Sequence, residues 1–173
     1  PDWQSGENKD LKWRTICQGV ENLCKLKELS EADVMLWCDW QSIYQDDEEE
    51  KLKGVMSLIK YTTLSHYMLV PTDQTTLTKD AAKYLNEIPG YGSRGWCRVE
   101  YFIFSLAAEM RGQEEVELSA IMVGGALQKY PVVKIEGEQF MPSGGILSNP
   151  NDKEVIKGLE DKMISFFGNC VVE

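Results

Sequence analysis

The chain has 173 residues, 43% of them apolar, 27% charged, and a net charge of −10. That length and apolar content are enough for one full core, so a single domain over residues 1–173 is expected. The acidic balance, with no basic run interleaved with aromatics, argues against nucleic-acid binding, and no apolar run reaches the length of a membrane span.

The five cysteines (Cys17, Cys24, Cys38, Cys97 and Cys170) form no C-x-x-C pair. An odd count in a chain of this size predicts reduced thiols and an intracellular, most simply cytoplasmic, location. With His66 as its one histidine, the chain offers no His-based zinc site, and no metal is expected. The chain opens on Pro1 rather than Met. This predicts a fragment or a processed product, whose targeting segment, an organellar one included, would stand upstream.

In chain order, the first 9 residues carry no period and read as a loop. Trp13, Ile16, Cys17, Val20, Leu23 and Cys24 then recur at helical spacing, with Asp10 as N-cap and an end near Leu26. Val34 to Cys38 is a continuous apolar run suited to a buried parallel strand, which puts Asp39 at its C-terminal end. Asp46 to Glu50 is an acidic helix start, ahead of the stripe Leu52, Val55, Met56 and Ile59. It lacks the alternating spacing and central glycine of a calcium loop. His66 to Val70 predicts a second buried strand, stopped by Pro71, and a short polar helix is expected over Lys79 to Glu87.

Ser93 is placed to cap the next helix, striped by Trp96, Val99, Ile103, Leu106, Ala107 and Met110. Leu118 to Val123 predicts a third strand, ended by Gly124-Gly125, and Val132 to Ile135 a fourth near an edge. Gly137 to Pro150 reads as a loop. A last helix follows, capped by Asn151 or Asp152, striped by Val155, Ile156, Leu159, Met163, Phe166 and Phe167, and stopped by Gly168. Parallel strands with crossover helices would give a doubly wound α/β sheet whose first strand is missing from this chain and expected upstream of Pro1.

Gly90-x-Gly92-x-x-Gly95 has the spacing of a dinucleotide-binding turn. That turn needs a strand running into its first glycine. Here Ile88-Pro89 precedes it, so these glycines read as loop geometry. Glu100 stands four residues after Trp96 and three before Ile103, which puts a carboxylate on or beside the apolar stripe. Desolvation there raises its pKa, as at many functional sites; pairing with a buried arginine is the structural alternative. Trp37, Trp40 and Tyr44 stand near Asp39, where they can stack on a flat ring or simply cover a sheet edge. Cys97, in the first turn of its helix, is either an activated thiol or a packed one.

Taken together, Ser93, Trp96, Cys97 and Glu100 resemble the Ser-x-x-Trp-Cys-x-x-Glu motif of TIR domains, and the likeness spans roughly residues 10 to 125. The resemblance implies a flavodoxin-like three-layer fold with a central parallel sheet. It also implies that Glu100 is the catalytic residue for cleaving the nicotinamide–ribose bond of NAD, with Trp37, Asp39, Trp40, Ser93, Trp96 and Cys97 around the nucleotide. NAD would then be a substrate, and no cofactor is implied. Many TIR domains act instead as assembly modules that associate with themselves or with other subunits, which is the alternative function. A third reading is a nucleoside-processing enzyme related to deoxyribosyltransferases. Three departures stand out: the first strand and its loop are absent, the stretch from Thr72 to Tyr91 ahead of the motif is long, and Arg98 and Val99 replace the usual acidic-rich continuation, with Tyr101 where Leu is common.

Overall fold

The computed structural model describes residues 6–44, 46–72, 90–111, 117–121, 123–130 and 141–171, with side chains omitted at 6–8, 40, 48, 117 and 167–171. The expected helix over Lys79 to Glu87 and the expected strand over Val132 to Ile135 lie outside these residues.

Helix α1 covers Gly6–Lys27, so it starts earlier than expected and carries Asp10 inside it rather than as a cap. It ends on Glu28 at φ 56°, with the Leu29 N–H donating to the Cys24 carbonyl at 2.9 Å, a bond that satisfies a terminal helix carbonyl. Its buried face is Thr15, Gly19, Leu23 and Cys24, while Trp13 is exposed. The face is rotated from the expected one because Gly19 sits against Ile121: a Cβ there would stand 2.5 Å from Ile121 Cγ2.

Val34 to Cys38 does not form a strand. It is extended and unladdered after a 3-10 turn at Glu31–Asp33, and Met35 is 97% exposed. An apolar run becomes a strand only where a neighbouring strand takes its backbone hydrogen bonds; here Cys38 bonds instead to the helix that follows, its N–H donating to Ser42 Oγ at 3.2 Å and its carbonyl accepting from the Gln41 and Ser42 N–H groups. Asp39 accordingly opens a short helix, α2 (Asp39–Ser42), instead of closing a strand. The acidic start of the next helix is as expected: Asp47 caps α3 (Glu48–Met56) by accepting from the Glu49 and Glu50 N–H groups at 2.9 Å. The stripe is broken at Ser57, and α4 (Leu58–Leu64) follows as a separate helix.

Strand β1 (Tyr67–Pro71) keeps Pro71 inside it, and Thr72 N–H continues the ladder to the Ile121 carbonyl at 2.8 Å. Helix α5 (Gly95–Arg111) leads to β2 (Glu117–Ile121), which pairs parallel with β1 in the register Val70 to Ala120. This β1–α5–β2 unit is a parallel crossover. Gly124 and Gly125, at φ 91° and 79°, then turn the chain back into β3 (Leu127–Tyr130). β3 pairs antiparallel with β2. The protein is mixed α/β with a small sheet in the order β1-β2-β3, and the sheet is mixed rather than purely parallel.

The last helix, α6 (Asp152–Val171), begins where expected but runs through Gly168. Before it, the expected loop contains a 3-10 turn at Pro142–Gly144.

Two clusters flank α5. Tyr101, Phe104 and Ala108 meet Val70, Leu118 and Ala120 of the sheet. On the other side, Val99, Phe102 and Ile103 meet Leu58 of α4 and Ile156, Leu159 and Met163 of α6. Helix α1 covers the opposite face of the sheet. Helix α5 is therefore central, which explains why Val99, Ile103 and Phe104 are all at most 1% exposed. No helix among the described residues is long and apolar enough to cross a membrane.

Candidate functional site

The first turn of α5 is built on close backbone contact. The Gly95 N–H donates to the Ile146 carbonyl at 2.9 Å, and the Ile146 N–H donates to the Ser93 carbonyl at 2.7 Å. A Cβ on Gly145 would lie 2.6 Å from the Gly95 backbone, so these two glycines allow the segment after the 3-10 turn to pass against the helix start. Arg98 reaches back from the same turn, its Nε donating to the Gly92 carbonyl at 2.7 Å and one terminal nitrogen to the Met141 carbonyl at 3.4 Å. Ser93 does not cap the helix through its side chain; its hydroxyl donates to the Gly90 carbonyl at 3.4 Å. As the sequence suggested, the glycines shape a turn.

Glu100 lies one turn further, between the two apolar stripes of α5. The residue is partly exposed, but its carboxyl is enclosed, and burial pushes its pKa from 4.5 up to about 8. That net value includes the Asp39 carboxylate, which also raises it, and the Arg94 and Lys12 cations, which draw it part of the way back. At neutral pH this carboxyl is a neutral acid. The same neighbours act on Cys97: burial, then Glu100, pushes its thiol up to about 12. Cys97 is thus a packed thiol, because a thiolate there would be desolvated beside a carboxyl. Tyr91 completes the group. Burial first and Glu100 second hold its phenol well above the usual range.

Asp39, Cys97 and Glu100 lie within electrostatic reach of one another. The structure places the aromatic residues elsewhere or leaves them undescribed. Trp37 packs against the cluster between α4, α5 and α6 and stacks on Tyr61 at 5.9 Å, with its indole nitrogen buried and unpartnered. Trp96 joins the same cluster and donates to Asp152 Oδ2 at 2.7 Å. Trp40 lies in α2 with its side chain outside the described residues. Lys12, Arg94 and Tyr91 were not weighed as site residues from sequence. Lys12 gives no local signal, since it arrives from α1 by tertiary packing. Tyr91 gives no local signal either, since a tyrosine between two turn glycines has no period to place it.

The position within the fold suits ligand binding. Glu100 is in the N-terminal half of the crossover helix, the half near the C-terminal ends of the parallel strands, where open α/β sheets bind ligands. An enclosed acid, a second carboxylate and two cations can handle a sugar bearing a leaving group, either by stabilising a cationic centre or by moving a proton. A separate open groove, lined by Ile59, Asp161, Lys162, Met163, Ser165 and Phe166, shares no residue with this group. No group of metal-ligating side chains occurs among the described residues.

No family model, curated protein or solved structure matches this chain.

Proposed function

We propose that this chain is a TIR-like domain of flavodoxin type that binds NAD-type nucleotides beside Glu100 and cleaves the bond between nicotinamide and ribose. The observation that carries the reading is the enclosed Glu100 carboxyl, held beside Asp39 with Arg94 and Lys12 within electrostatic reach. In this reaction the C1′–N bond breaks and its electron pair goes to the pyridinium nitrogen, which leaves as neutral nicotinamide. Water adds to C1′ of the oxocarbenium-like species and loses a proton. Glu100 in its ionised form faces C1′, where positive charge grows, and stabilises it. The positive charge of the pyridinium ring adds to that of Arg94 and Lys12, so binding favours the ionised form of a carboxyl that is otherwise neutral near pH 7. Arg94 and Lys12 serve the pyrophosphate by charge.

The test is nicotinamide release from NAD by the wild-type protein and by Glu100→Ala, measured at high protein concentration. The expected result is release that the substitution removes. Absence of release from wild type overturns the activity. Release that survives Glu100→Ala overturns the assignment of the residue.

A second reading, an assembly module, is favoured by one observation: the extended segment from Val34 to Cys38 leaves Met35 97% and Leu36 47% exposed. Exposed apolar side chains on an unladdered segment suit association with another protein surface. A chain that sediments as a monomer at high concentration, and does so equally with Met35→Glu, speaks against it.

A further inference from the structure

The acidity of this chain is concentrated in one stretch. Residues 28–50 hold nine acidic residues, four from Glu28 to Asp39 and five from Asp46 to Glu50, and no lysine or arginine. The other 150 residues hold 19 acidic residues against 18 basic ones, so this stretch carries −9 of the net −10. Lys53 of α3 pairs with Glu49 and Glu50 at 2.9 Å, but all three side chains are largely exposed, and exposed pairs are weak.

The same stretch presents apolar side chains on a backbone of strand form. Val34 (φ −97°, ψ 125°) and Cys38 (φ −134°, ψ 124°) both have extended dihedrals. Between them, Met35 is 97% and Leu36 47% exposed. Both ends are held: the Val34 N–H donates to the Glu31 carbonyl at 3.3 Å, and the Cys38 N–H to Ser42 Oγ at 3.2 Å. Trp37 anchors the middle by packing on the cluster between α4, α5 and α6 and stacking on Tyr61. Just beyond, Ile43 stands against α3, since a Cβ on Gly54 would lie 2.8 Å from Ile43 Cγ2. The acidic helix is thereby tied to the segment. Val34 to Cys38 holds its extended form before any partner arrives, which lowers the ordering cost of binding.

We propose that Val34 to Cys38 docks a cationic polypeptide segment of another protein. That segment lies extended along it, covers Met35 and Leu36 with apolar side chains, and sets its lysines or arginines among the surrounding carboxylates. Backbone groups on an extended segment suit strand addition, while the flanking side chains select the partner. Charge makes that selection. Two copies brought head to head would set −9 against −9, and like charges suppress such a contact. Nucleic acid and anionic lipid are repelled in the same way. A cationic segment instead relieves the crowding of carboxylates and is steered toward them. The proposal stands apart from the NAD reading, and it narrows the assembly reading to a partner of opposite charge.

The probe is a fluorescein-labelled peptide of alternating lysine and valine, followed by anisotropy at low ionic strength. A glutamate–valine peptide and a lysine–glycine peptide serve as controls. The lysine–valine peptide is expected to bind and the controls to bind roughly tenfold more weakly or not at all. Met35→Gln with Leu36→Gln should weaken binding roughly tenfold by removing the apolar contact. Glu31→Gln with Asp33→Asn should weaken it roughly threefold and flatten its dependence on salt. All four positions are exposed, so the fold does not depend on them. Isotope-edited infrared spectra of the bound peptide should show strand absorption. No binding of the lysine–valine peptide by wild type overturns the proposal. Equal binding of the lysine–glycine peptide, unaffected at Met35 and Leu36, overturns it by reducing the effect to unspecific attraction. Equal binding of the glutamate–valine peptide overturns the choice by charge. Sedimentation without peptide reports on a second copy: a dimer dissolved by the Met35 and Leu36 substitutions overturns the proposal and leaves the assembly reading standing. Nicotinamide release is measured separately, so the NAD reading fails or holds on its own.

Discussion

Trp96 and Asp152 join two helices: the indole Nε1 donates to Asp152 Oδ2 at 2.7 Å, pinning the first turn of α5 to the first residue of α6. The bond is charge-assisted and partly buried, and the carboxylate also sits at a helix N-terminus, where negative charge is favoured. Asp152→Ala should therefore lower stability by about 2 kcal/mol. A double-mutant cycle with Trp96→Phe, followed by urea unfolding, should show that the two losses are not additive. Additive losses would mean that the bond contributes nothing in solution.

Glu100 links stability to pH. Its folded pKa is about 8 against an ordinary 4.5, so between these values the folded chain holds a proton that the unfolded chain has released. Stability from this residue is fully present below pH 4.5 and is lost as pH rises through about 8. Glu100→Gln stays neutral, so its melting temperature should match wild type near pH 5 and exceed it above pH 8.5, limits set about the values of 4.5 and about 8. Parallel melting curves for the two proteins across that range would contradict an enclosed carboxyl.

The same titration bears on activity, with the opposite sign. If ionised Glu100 stabilises the reacting sugar, kcat/KM for nicotinamide release should rise with pH and level off above about 8. A rate that falls across this range would assign Glu100 to proton donation instead.

Two glycines make an opposed pair. Gly145→Ala would push a Cβ to 2.6 Å from the backbone of Gly95 and 3.0 Å from that of Arg94, which cannot rotate away. A loss of roughly 1–3 kcal/mol is expected. Gly158 is exposed inside α6 and meets nothing within 4 Å, so Gly158→Ala should add about 0.5–1 kcal/mol. Chemical denaturation of both variants checks the pair, and a stabilised Gly145→Ala would show that the segment over the helix start is not packed as described.

Thiol labelling should sort the cysteines by environment. Cys24 and Cys97 are buried, and the Cys97 thiol is pushed up to about 12, while Cys17 and Cys38 are partly exposed. With N-ethylmaleimide on the native protein, peptide mapping should find Cys17 and Cys38 modified first and Cys97 spared. Early modification of Cys97 would place it in an open, electropositive site.

What was legible in the sequence is whatever depends on near neighbours along the chain. Helical period identified α1, α5 and α6, because residues three and four apart share a face whatever lies beyond it. Asp47 was legible as part of an acidic helix start, and Gly124-Gly125 as the end of β2, because capping and positive φ are local demands. Glu100 stood out for the same reason, since its spacing from Trp96 and Ile103 puts a carboxylate among apolar neighbours.

Tertiary structure decided the rest. The apolar run from Val34 to Cys38 has every local mark of a strand, yet a strand exists only where another backbone completes it, and pairing is not encoded in one segment. Which face of α1 is buried depended on Gly19 meeting Ile121, a residue about a hundred positions away. The surroundings of Glu100 follow the same rule. The spacing in α5 could put its carboxyl beside an apolar stripe, but the charges of Asp39 and Lys12 act on it from α2 and α1, segments about 60 and 90 positions away in the chain. Charge acts through space and not along the chain, so the pKa of Glu100 belongs to the fold.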